Sequence, residues 1–188
     1  MVVLISGLPG TGKSTVARAL ADRIHASAHS RDSARAMLRK VRPRSARLID
    51  GAYLRVRGMY RPVLQRTANQ LLEALVDRTL QDGSPAVVEM VAEPELRHHL
   101  RAIAGQHRVS FRQIECVCPD RAELLRRLAL RPGDWAAVLR RVEKAYVPPD
   151  PAASLILDTT RPVEDLMVDV EAYLRGNAPP PSQPDRRR

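Results

Sequence analysis

The sequence predicts an α/β fold of three layers, in which a parallel sheet of about five strands is covered by helices on both faces. Four short runs in which apolar residues predominate, each with valine or isoleucine, stand at residues 2–5, 86–92, 109–117 and 154–157. Such runs are typical of strands buried on both faces, and segments with helical spacing separate them, as the crossovers of a parallel sheet require. A weaker run at residues 26–32 predicts a fifth strand at the edge of the sheet.

Apolar residues at helical spacing predict the helices. The first helix begins at Lys13 and presents four apolar side chains on one face, Val16, Ala19, Leu20 and Ile24. A short helix is predicted at residues 33–39, a long one at 62–81 and a last one at 163–174. The sequence Asp82-Gly83-Ser84-Pro85 ends the long helix, because glycine and proline do not continue a helix. Residues 40–57 match no regular pattern.

Length and composition predict one folded unit. The chain has 188 residues and is 44% hydrophobic, which suffices for a single core. We expect this domain to cover residues 1–175. Residues 176–188 contain four prolines and end in Arg186-Arg187-Arg188, which is typical of a disordered basic tail.

The net charge of +10 bears on the kind of partner. Basic surfaces attract polyanions, so a nucleic acid stays open as a partner. Only three of the 31 cationic residues are lysines, however, and a strong preference for arginine is also what a GC-rich genome produces. Aromatic residues make up only 3% of the chain, which argues against a surface that stacks nucleic-acid bases.

The cysteines and the amino terminus exclude further classes. Cys116 and Cys118 lie in an apolar run and share one face of a strand, so we interpret them as small core residues. No histidine has the zinc-ligand spacing to them. The apolar run at residues 2–5 is too short for a signal peptide or a membrane span. We therefore expect a cytoplasmic protein with no membrane partner.

The segment between the first strand and the first helix carries the strongest motif of the chain. It reads Gly7-Leu8-Pro9-Gly10-Thr11-Gly12-Lys13-Ser14-Thr15, which matches the pattern Gly-x-x-x-x-Gly-Lys-[Ser/Thr] of phosphate-binding loops. A buried strand before this pattern and an amphipathic helix after it are the context in which such a loop works. The segment therefore predicts a nucleotide-binding P-loop and the P-loop NTPase fold.

Each residue type in this loop has a physical reason. Gly7, Gly10 and Gly12 allow backbone angles that turn successive N–H groups toward a polyphosphate, and the positive end of the helix dipole adds to their field. Lys13 is predicted to contact the β- and γ-phosphates of ATP, and the Ser14 hydroxyl to ligate Mg²⁺. Pro9, Thr11 and Thr15 complete the predicted nucleotide site, with Thr15 on the side of the α-phosphate.

The rest of the chain favours a kinase among P-loop proteins. The Asn-Lys-x-Asp motif with which GTPases read guanine is absent, and motor ATPases need a longer chain. The chain resembles the small P-loop kinases, which include polynucleotide 5′-hydroxyl kinase, chloramphenicol phosphotransferase, zeta-toxin kinases and adenylyl-sulfate kinase. The resemblance spans most of residues 1–175. It is carried by the P-loop, by Ser30-Arg31-Asp32-Ser33-Ala34-Arg35, by Arg127 with Arg131, and by Leu155-Ile156-Leu157-Asp158-Thr159.

This resemblance implies that the chain transfers the γ-phosphate of ATP to a hydroxyl, with Asp32 as the general base on that hydroxyl and Arg35 beside it. The acceptor is either a small molecule or a polynucleotide 5′ end. An alternative for Asp32 and Arg35 is a helix N-cap with its surface ion-pair partner. Another alternative, for the whole chain, is an ATP-binding interaction module without catalysis.

The resemblance further implies a helical lid over residues 121–147. Arg127 and Arg131 are spaced i and i+4, so both are expected on one helical face, closing over the phosphates. Arg127 is the predicted catalytic member of this pair, and Arg131 a nucleotide contact. Glu89 stands at the carboxyl end of a predicted strand, where it could contact magnesium or the acceptor. Residues 158–161 follow the last predicted strand, at the position where related kinases bind adenine with backbone groups.

Overall fold

The computed structural model describes residues 1–41, 60–91 and 93–176. Of the segment 40–57, which matches no regular pattern, residues 42–57 lie outside the described residues. So does the predicted tail beyond Gly176. The described strands are β1 Val2–Gly7, β2 Ser27–Ser30, β3 Ala86–Glu89, β4 Phe111–Val117 and β5 Leu155–Asp158. The described helices are α1 Lys13–Arg23, α2 Arg31–Val41, α3 Tyr60–Gln81, α4 Pro94–Gln106, α5 Arg121–Ala129, α6 Trp135–Ala145 and α7 Val163–Leu174, with a 3₁₀ turn at Pro151–Ala153.

The five strands form one parallel sheet in the order β2-β3-β1-β4-β5. β1 lies at its centre, where Val2 pairs with Ala86 of β3 and with Phe111 of β4. All carboxyl ends of the strands therefore meet at one edge of the sheet. The predicted α/β fold with about five parallel strands is confirmed, and the weak run at residues 26–32 forms the edge strand β2.

Successive side chains of β1 enter two different cores, which makes the molecule three-layered. Val3 and Ile5 pack with residues of α1 and α7 on one face. Val2 and Leu4 pack with residues of α3 and α4 on the other face. All four side chains are fully buried. Burial of one such side chain stabilises the fold by roughly 1.5–3 kcal/mol, so both helical layers are held firmly against the sheet.

A third, smaller core joins α5 and α6 to the edge at which the strands end. It consists of Cys118, Leu124, Leu128 and Leu139, with Leu8 and Trp135 packed against it. Cys118 belongs to this core and Cys116 to the core beneath β1, because β4 ends at Val117 and Cys118 has left the sheet. Both cysteines are free and buried, and burial raises the pKa of Cys116 to about 12. The interpretation as core residues is confirmed.

Several element boundaries differ from those that the sequence predicts. β3 ends at Glu89 instead of residue 92, because α4 begins at Pro94 and the chain must leave the sheet to reach it. β2 is shortened to Ser27–Ser30, because α2 begins at the next residue. Within the described residues, no helix has both the length and the apolar character needed to cross a membrane. The same residues contain no group of three or more histidine, cysteine, aspartate or glutamate side chains that could hold a metal ion.

Candidate active site

The loop between β1 and α1 has the backbone of a tight phosphate-binding turn. Its glycines have positive φ angles of 146° at Gly7, 87° at Gly10 and 77° at Gly12. A Cβ atom at Gly7 would lie 2.4 Å from the carbonyl oxygen of Cys116, so the loop passes too close to β4 for any side chain at this position. Gly12 is the N-cap of α1 in the left-handed conformation. The amides of Lys13 and Ser14, which follow Gly12 at the start of α1, have no intrahelical partners by geometry and are available to a ligand.

Two side chains close the loop on itself. The Thr11 hydroxyl donates to the carbonyl oxygen of Leu8 at 2.8 Å, and the Lys13 ammonium donates to the same oxygen at 2.7 Å. Lys13 is only 7% exposed. Burial lowers the pKa of Lys13, and the charge of Glu89 opposes this effect most strongly. The ammonium group therefore lies inside the loop, where a phosphate would face it.

Ser14 and Glu89 meet at the floor of the site. The Ser14 hydroxyl donates to Glu89 Oε1 at 2.7 Å, although the two residues are 75 positions apart in the chain. Glu89 is the last residue of β3 and pairs with Ile5 of β1, which places its carboxylate beside the start of α1. Hydroxyl and carboxylate oxygens are ligands that Mg²⁺ accepts, so this pair fits a magnesium ion.

A cleft of about 590 Å³ extends from the loop toward α2 and α6. Five loop residues line it, namely Pro9, Gly10, Gly12, Lys13 and Ser14. Gly7, Thr11 and Thr15 do not line it: Gly7 and Thr11 shape the loop from behind, and the Thr15 amide donates to the Gly12 carbonyl oxygen at 3.0 Å. The opposite wall includes Asp32, Arg35 and Arg131. The structure thus brings most of the predicted site residues around one cavity.

Asp32 and Arg35 stand in the first turn of α2, facing this cleft. Arg35 Nη1 lies 3.2 Å from Asp32 Oδ1, so the ion pair of the alternative interpretation is present. The N-cap is a different residue, since Ser30 Oγ accepts from the Ser33 amide at 3.0 Å. The Asp32 side chain is 89% exposed and is free to meet another molecule in the cleft. Burial, and next the charge of Arg31, lower the pKa of Arg35.

A cluster around Glu93 forms the wall behind this ion pair. One carboxylate oxygen of Glu93 accepts from Arg31 and Gln65, and the other accepts from Asn69 at 3.2 Å. The cluster ties α2, α3 and the start of α4 together. The sequence did not predict it, because its members are up to 62 positions apart. The one signal was an acidic residue shortly after a buried strand, at the edge where ligands bind.

Arg127 and Arg131 do not share a helical face, which corrects the prediction from their spacing. α5 ends at Ala129, and Pro132 with Gly133 turns the chain before α6 begins. Arg131 lines the cleft, with its guanidinium carbon 5.4 Å from the centre of the Trp135 ring. Arg127 lies outside the cleft lining. It donates to Glu123 at 2.8 Å, and to the hydroxyl and carbonyl oxygens of Thr159 at 3.1 and 2.8 Å.

The turn after β5 closes the back of the loop. The Thr159 amide donates to the Val117 carbonyl oxygen at 2.9 Å, which fixes this turn to β4. A Cβ atom at Gly12 would lie 3.4 Å from the Thr159 side chain. Asp158 stabilises the turn by accepting from the Thr160 amide at 3.0 Å. Arg127 thus holds a segment that contacts the P-loop from behind.

A buried carboxylate beneath the loop is a second feature that the sequence did not predict. Glu115 is 3% exposed and accepts from Ser6 Oγ at 2.7 Å and from the hydroxyl of Tyr146. Burial raises the pKa of Glu115, and the hydrogen bonds from Tyr146 and Ser6 oppose that rise. Ser6 precedes the loop, and Tyr146 follows α6 and lines the cleft. Glu115 therefore connects the P-loop strand with the end of α6.

Solved structures of kinases have the same fold. A sugar kinase from Janibacter sp. HTCC2649 is 19% identical, with 93% of this chain and 94% of that chain covered and a TM-score of 0.62. A gluconokinase from Sinorhizobium meliloti 1021 is 18% identical, with coverages of 93% and 91% and a TM-score of 0.62. The APS kinase CysC of Mycobacterium tuberculosis, in complex with AMPPNP and APS, is 21% identical, with coverages of 93% and 96% and a TM-score of 0.63. These similarities confirm the predicted three-layer α/β fold.

The amino-acid sequence was also compared with protein families and with curated proteins. No curated protein sequence matches the chain. The family described as AAA domain matches residues 2–148, a segment that begins with β1 and includes the P-loop, Asp32, Glu89 and the α5–α6 hairpin. Since this segment makes up most of the chain, the chain belongs to the AAA domain family.

Proposed function

We propose that this protein is a kinase, which transfers the γ-phosphate of ATP to a hydroxyl group of an acceptor. One observation carries the proposal. The P-loop places Lys13 and Ser14 on one side of a cleft, and the end of β3 adds Glu89 beside them. On the facing wall of the same cleft, α2 places Asp32 and Arg35. The similar structures are named as kinases of a sugar, of gluconate and of APS, which supports a phosphotransferase.

The nucleotide site of this proposal is the segment from Gly7 to Thr15. Its amides and the dipole of α1 attract the phosphates, and the ammonium group of Lys13 moves from the Leu8 carbonyl oxygen to the β- and γ-phosphates. Arg131 approaches the same phosphates from the opposite wall. A bound Mg²⁺ neutralises phosphate charge and orients the phosphates. The Ser14 hydroxyl and the Glu89 carboxylate would hold it, directly or through water.

The transfer step assigns the proton to Asp32. Its carboxylate accepts the proton of the acceptor hydroxyl while the hydroxyl oxygen bonds to the γ-phosphorus atom. The bond from that phosphorus atom to the β–γ bridging oxygen breaks, and ADP leaves with the electron pair. Arg35 has donors beyond the one that contacts Asp32, and these can hold the transferred group.

The α5–α6 hairpin, residues 121–147, is the lid of this proposal. A lid excludes water, and this exclusion limits hydrolysis of ATP. The phosphate contact that the sequence assigned to Arg127 belongs to Arg131 in this scheme, because all three guanidinium nitrogens of Arg127 already donate to Glu123 or Thr159. Arg127 instead positions the turn after β5 behind the nucleotide.

One observation favours a second function, an ATP-binding interaction module without catalysis. Asp32 already has an ion-pair partner in Arg35, and a purely structural pair of this kind needs no acceptor. The two functions differ in what they require of the Asp32 carboxylate. The kinase needs its basic oxygen, whereas the module does not.

Labelled ATP with Mg²⁺ and a set of hydroxyl acceptors tests the kinase. We expect Asp32→Asn to lower the transfer rate about 10²–10⁴-fold while ATP affinity stays within about twofold, because the amide cannot take a proton. Lys13→Ala should weaken ATP binding and transfer together. Asp22→Asn, on the exposed part of α1, is the matched control. Transfer at the parent rate by Lys13→Ala would show that the P-loop is not the site of transfer, and unchanged transfer by Asp32→Asn would remove Asp32 as the base. Binding of ATP without transfer to any acceptor would support the module.

A further inference from the structure

The acceptor side of the cleft is built from two chemically different walls. We define this acceptor side by the cleft residues that face away from the P-loop, which are Asp32, Arg35, Gln65, Val91, Glu93, Val138, Arg141, Val142, Ala145 and Tyr146. The polar members come from α2, α3 and the start of α4. The apolar members come mostly from α6. This division rests on the proposed function, which puts the nucleotide on the P-loop.

The charges of the polar wall are neutralised internally. Arg31 is paired with Glu93, and Arg35 with Asp32. Glu93 accepts from three side chains, so neither of its oxygens is left without a donor. Apart from Arg131, which the proposed function assigns to the phosphates, Arg141 is the one cation among the described residues of the acceptor side without an acidic partner, and its side chain is exposed. A polyanion gains affinity chiefly by contact with several uncompensated cations, and the described residues of this wall do not provide them.

The α6 wall is an apolar stripe. Val138, Val142 and Ala145 are spaced i, i+4 and i+7, so they lie on one helical face, and that face lines the cleft. Leu139 points elsewhere, into the core that it shares with Leu124 and Leu128. Val138 and Val142 are only half-buried, although apolar surface next to water is unfavourable. On the sheet side, Val91 adds a further half-buried apolar side chain.

From these walls we infer that the acceptor is an uncharged small molecule that carries its reactive hydroxyl on one side and an apolar face on the other. The hydroxyl meets Asp32, and the apolar face packs on Val138 and Val142. The size of the cavity agrees with this class, because sites for small molecules measure roughly 300–1,000 Å³ and the nucleotide phosphates take part of the space here. The observations favour this acceptor over a polynucleotide.

Two series of alcohols that differ in charge and in apolar surface test the inference. The first is glucose, phenyl β-glucoside and gluconate; the second is deoxyribose, thymidine, thymidine 3′-phosphate and an oligothymidylate with a free 5′-hydroxyl. Within each series, we expect the highest kcat/KM for the uncharged member that carries a second, flat ring beside its sugar. These members are phenyl β-glucoside and thymidine. Their rates should change less than about twofold between about 50 and 200 mM salt, whereas turnover of a polynucleotide should fall steeply.

Variants of α6 locate the contact. Val142→Asp should raise the KM of the best uncharged acceptor about tenfold and leave the KM of ATP unchanged, because it replaces an apolar contact by a charge. Ala137→Asp adds the same charge on a face of α6 that does not line the cleft, and should leave both constants within about twofold. Arg141→Gln distinguishes the two classes of acceptor, because it should raise the KM of an anionic acceptor such as gluconate more than the KM of the best uncharged acceptor.

The possible results separate the inference from the proposed function. Preference for gluconate, thymidine 3′-phosphate or the oligonucleotide would overturn the uncharged acceptor and leave the kinase in place. So would an unchanged acceptor KM in Val142→Asp. Binding of ATP without transfer to any member of either series would contradict the kinase itself.

Discussion

At the scale of single residues, the contact between Ser14 and Glu89 marks the position at which the proposed magnesium ion would bind. The two oxygens lie 2.7 Å apart at the floor of the cleft, one at the start of α1 and the other at the end of β3. Neither side chain alone is a strong ligand for magnesium. Together they offer a hydroxyl and a carboxylate to one position, and Lys13 is close enough for its pKa to respond to the same carboxylate.

We therefore predict that Glu89→Gln weakens the affinity for magnesium more than the affinity for the nucleotide itself. The Mg²⁺ concentration that gives half of the maximal transfer rate should rise about tenfold, because a neutral amide attracts the ion less than a carboxylate does. Magnesium titrations at saturating ATP measure this concentration. Glu95→Gln, on the exposed first turn of α4, is the control. An unchanged magnesium titration would place the ion away from Glu89.

At the scale of elements, the α5–α6 hairpin is fixed at one end and exposed at the other. The end that follows α6 is anchored twice, since the Tyr146 hydroxyl donates to buried Glu115 and Arg97 Nη2 donates to the Val147 carbonyl oxygen at 2.9 Å. The turn between the helices, by contrast, presents Leu130 with 77% of its surface exposed. We expect a hairpin held in this way to move about its anchored end.

We expect Tyr146→Phe to destabilise the fold by about 1–3 kcal/mol, because the buried Glu115 carboxylate loses one of its two side-chain donors. Denaturant unfolding measures the change. Tyr173→Phe removes the same atom from α7, where its hydrogen bonds of 3.4 and 3.5 Å are long, and should cost less than about 0.5 kcal/mol. Equal losses in both variants would show that Glu115 does not depend on the Tyr146 hydroxyl.

Features that depend on local sequence patterns could be predicted, and contacts between distant parts of the chain could not. The strands and the P-loop follow from local patterns, an apolar run before Gly7 and helical spacing after Lys13, so they were predicted correctly. Glu115 lay inside a predicted apolar strand, and nothing in the sequence pairs it with Ser6, 109 positions away. The prediction for Arg131 was wrong in geometry because spacing alone cannot show where a helix ends. Pro132 and Gly133 were the local signal for that end.

At the scale of the whole molecule, the cleft joins parts that belong to different layers. The sheet edge supplies the P-loop and Glu89, α2 supplies Asp32, and the α5–α6 hairpin supplies Arg131 and the apolar stripe. The proposed transfer requires all three at once, so we expect binding of ATP to draw the hairpin toward the P-loop. Trp135 stands at the start of α6 beside Arg131, and it is the sole tryptophan of the chain. Its fluorescence therefore reports on the hairpin without a label.

We predict that ATP with Mg²⁺ changes the emission of Trp135, because Arg131 leaves the indole ring to contact phosphate. Arg131→Ala should abolish most of this change and weaken ATP binding about ten- to a hundredfold, the value of a charge-assisted hydrogen bond to phosphate. Arg140→Ala removes a cation from the part of α6 that does not line the cleft, and should leave both the emission change and the affinity as they are. If Arg131→Ala bound ATP as tightly as the parent protein, the hairpin would not contact the phosphates, and closure would have to depend on the acceptor instead.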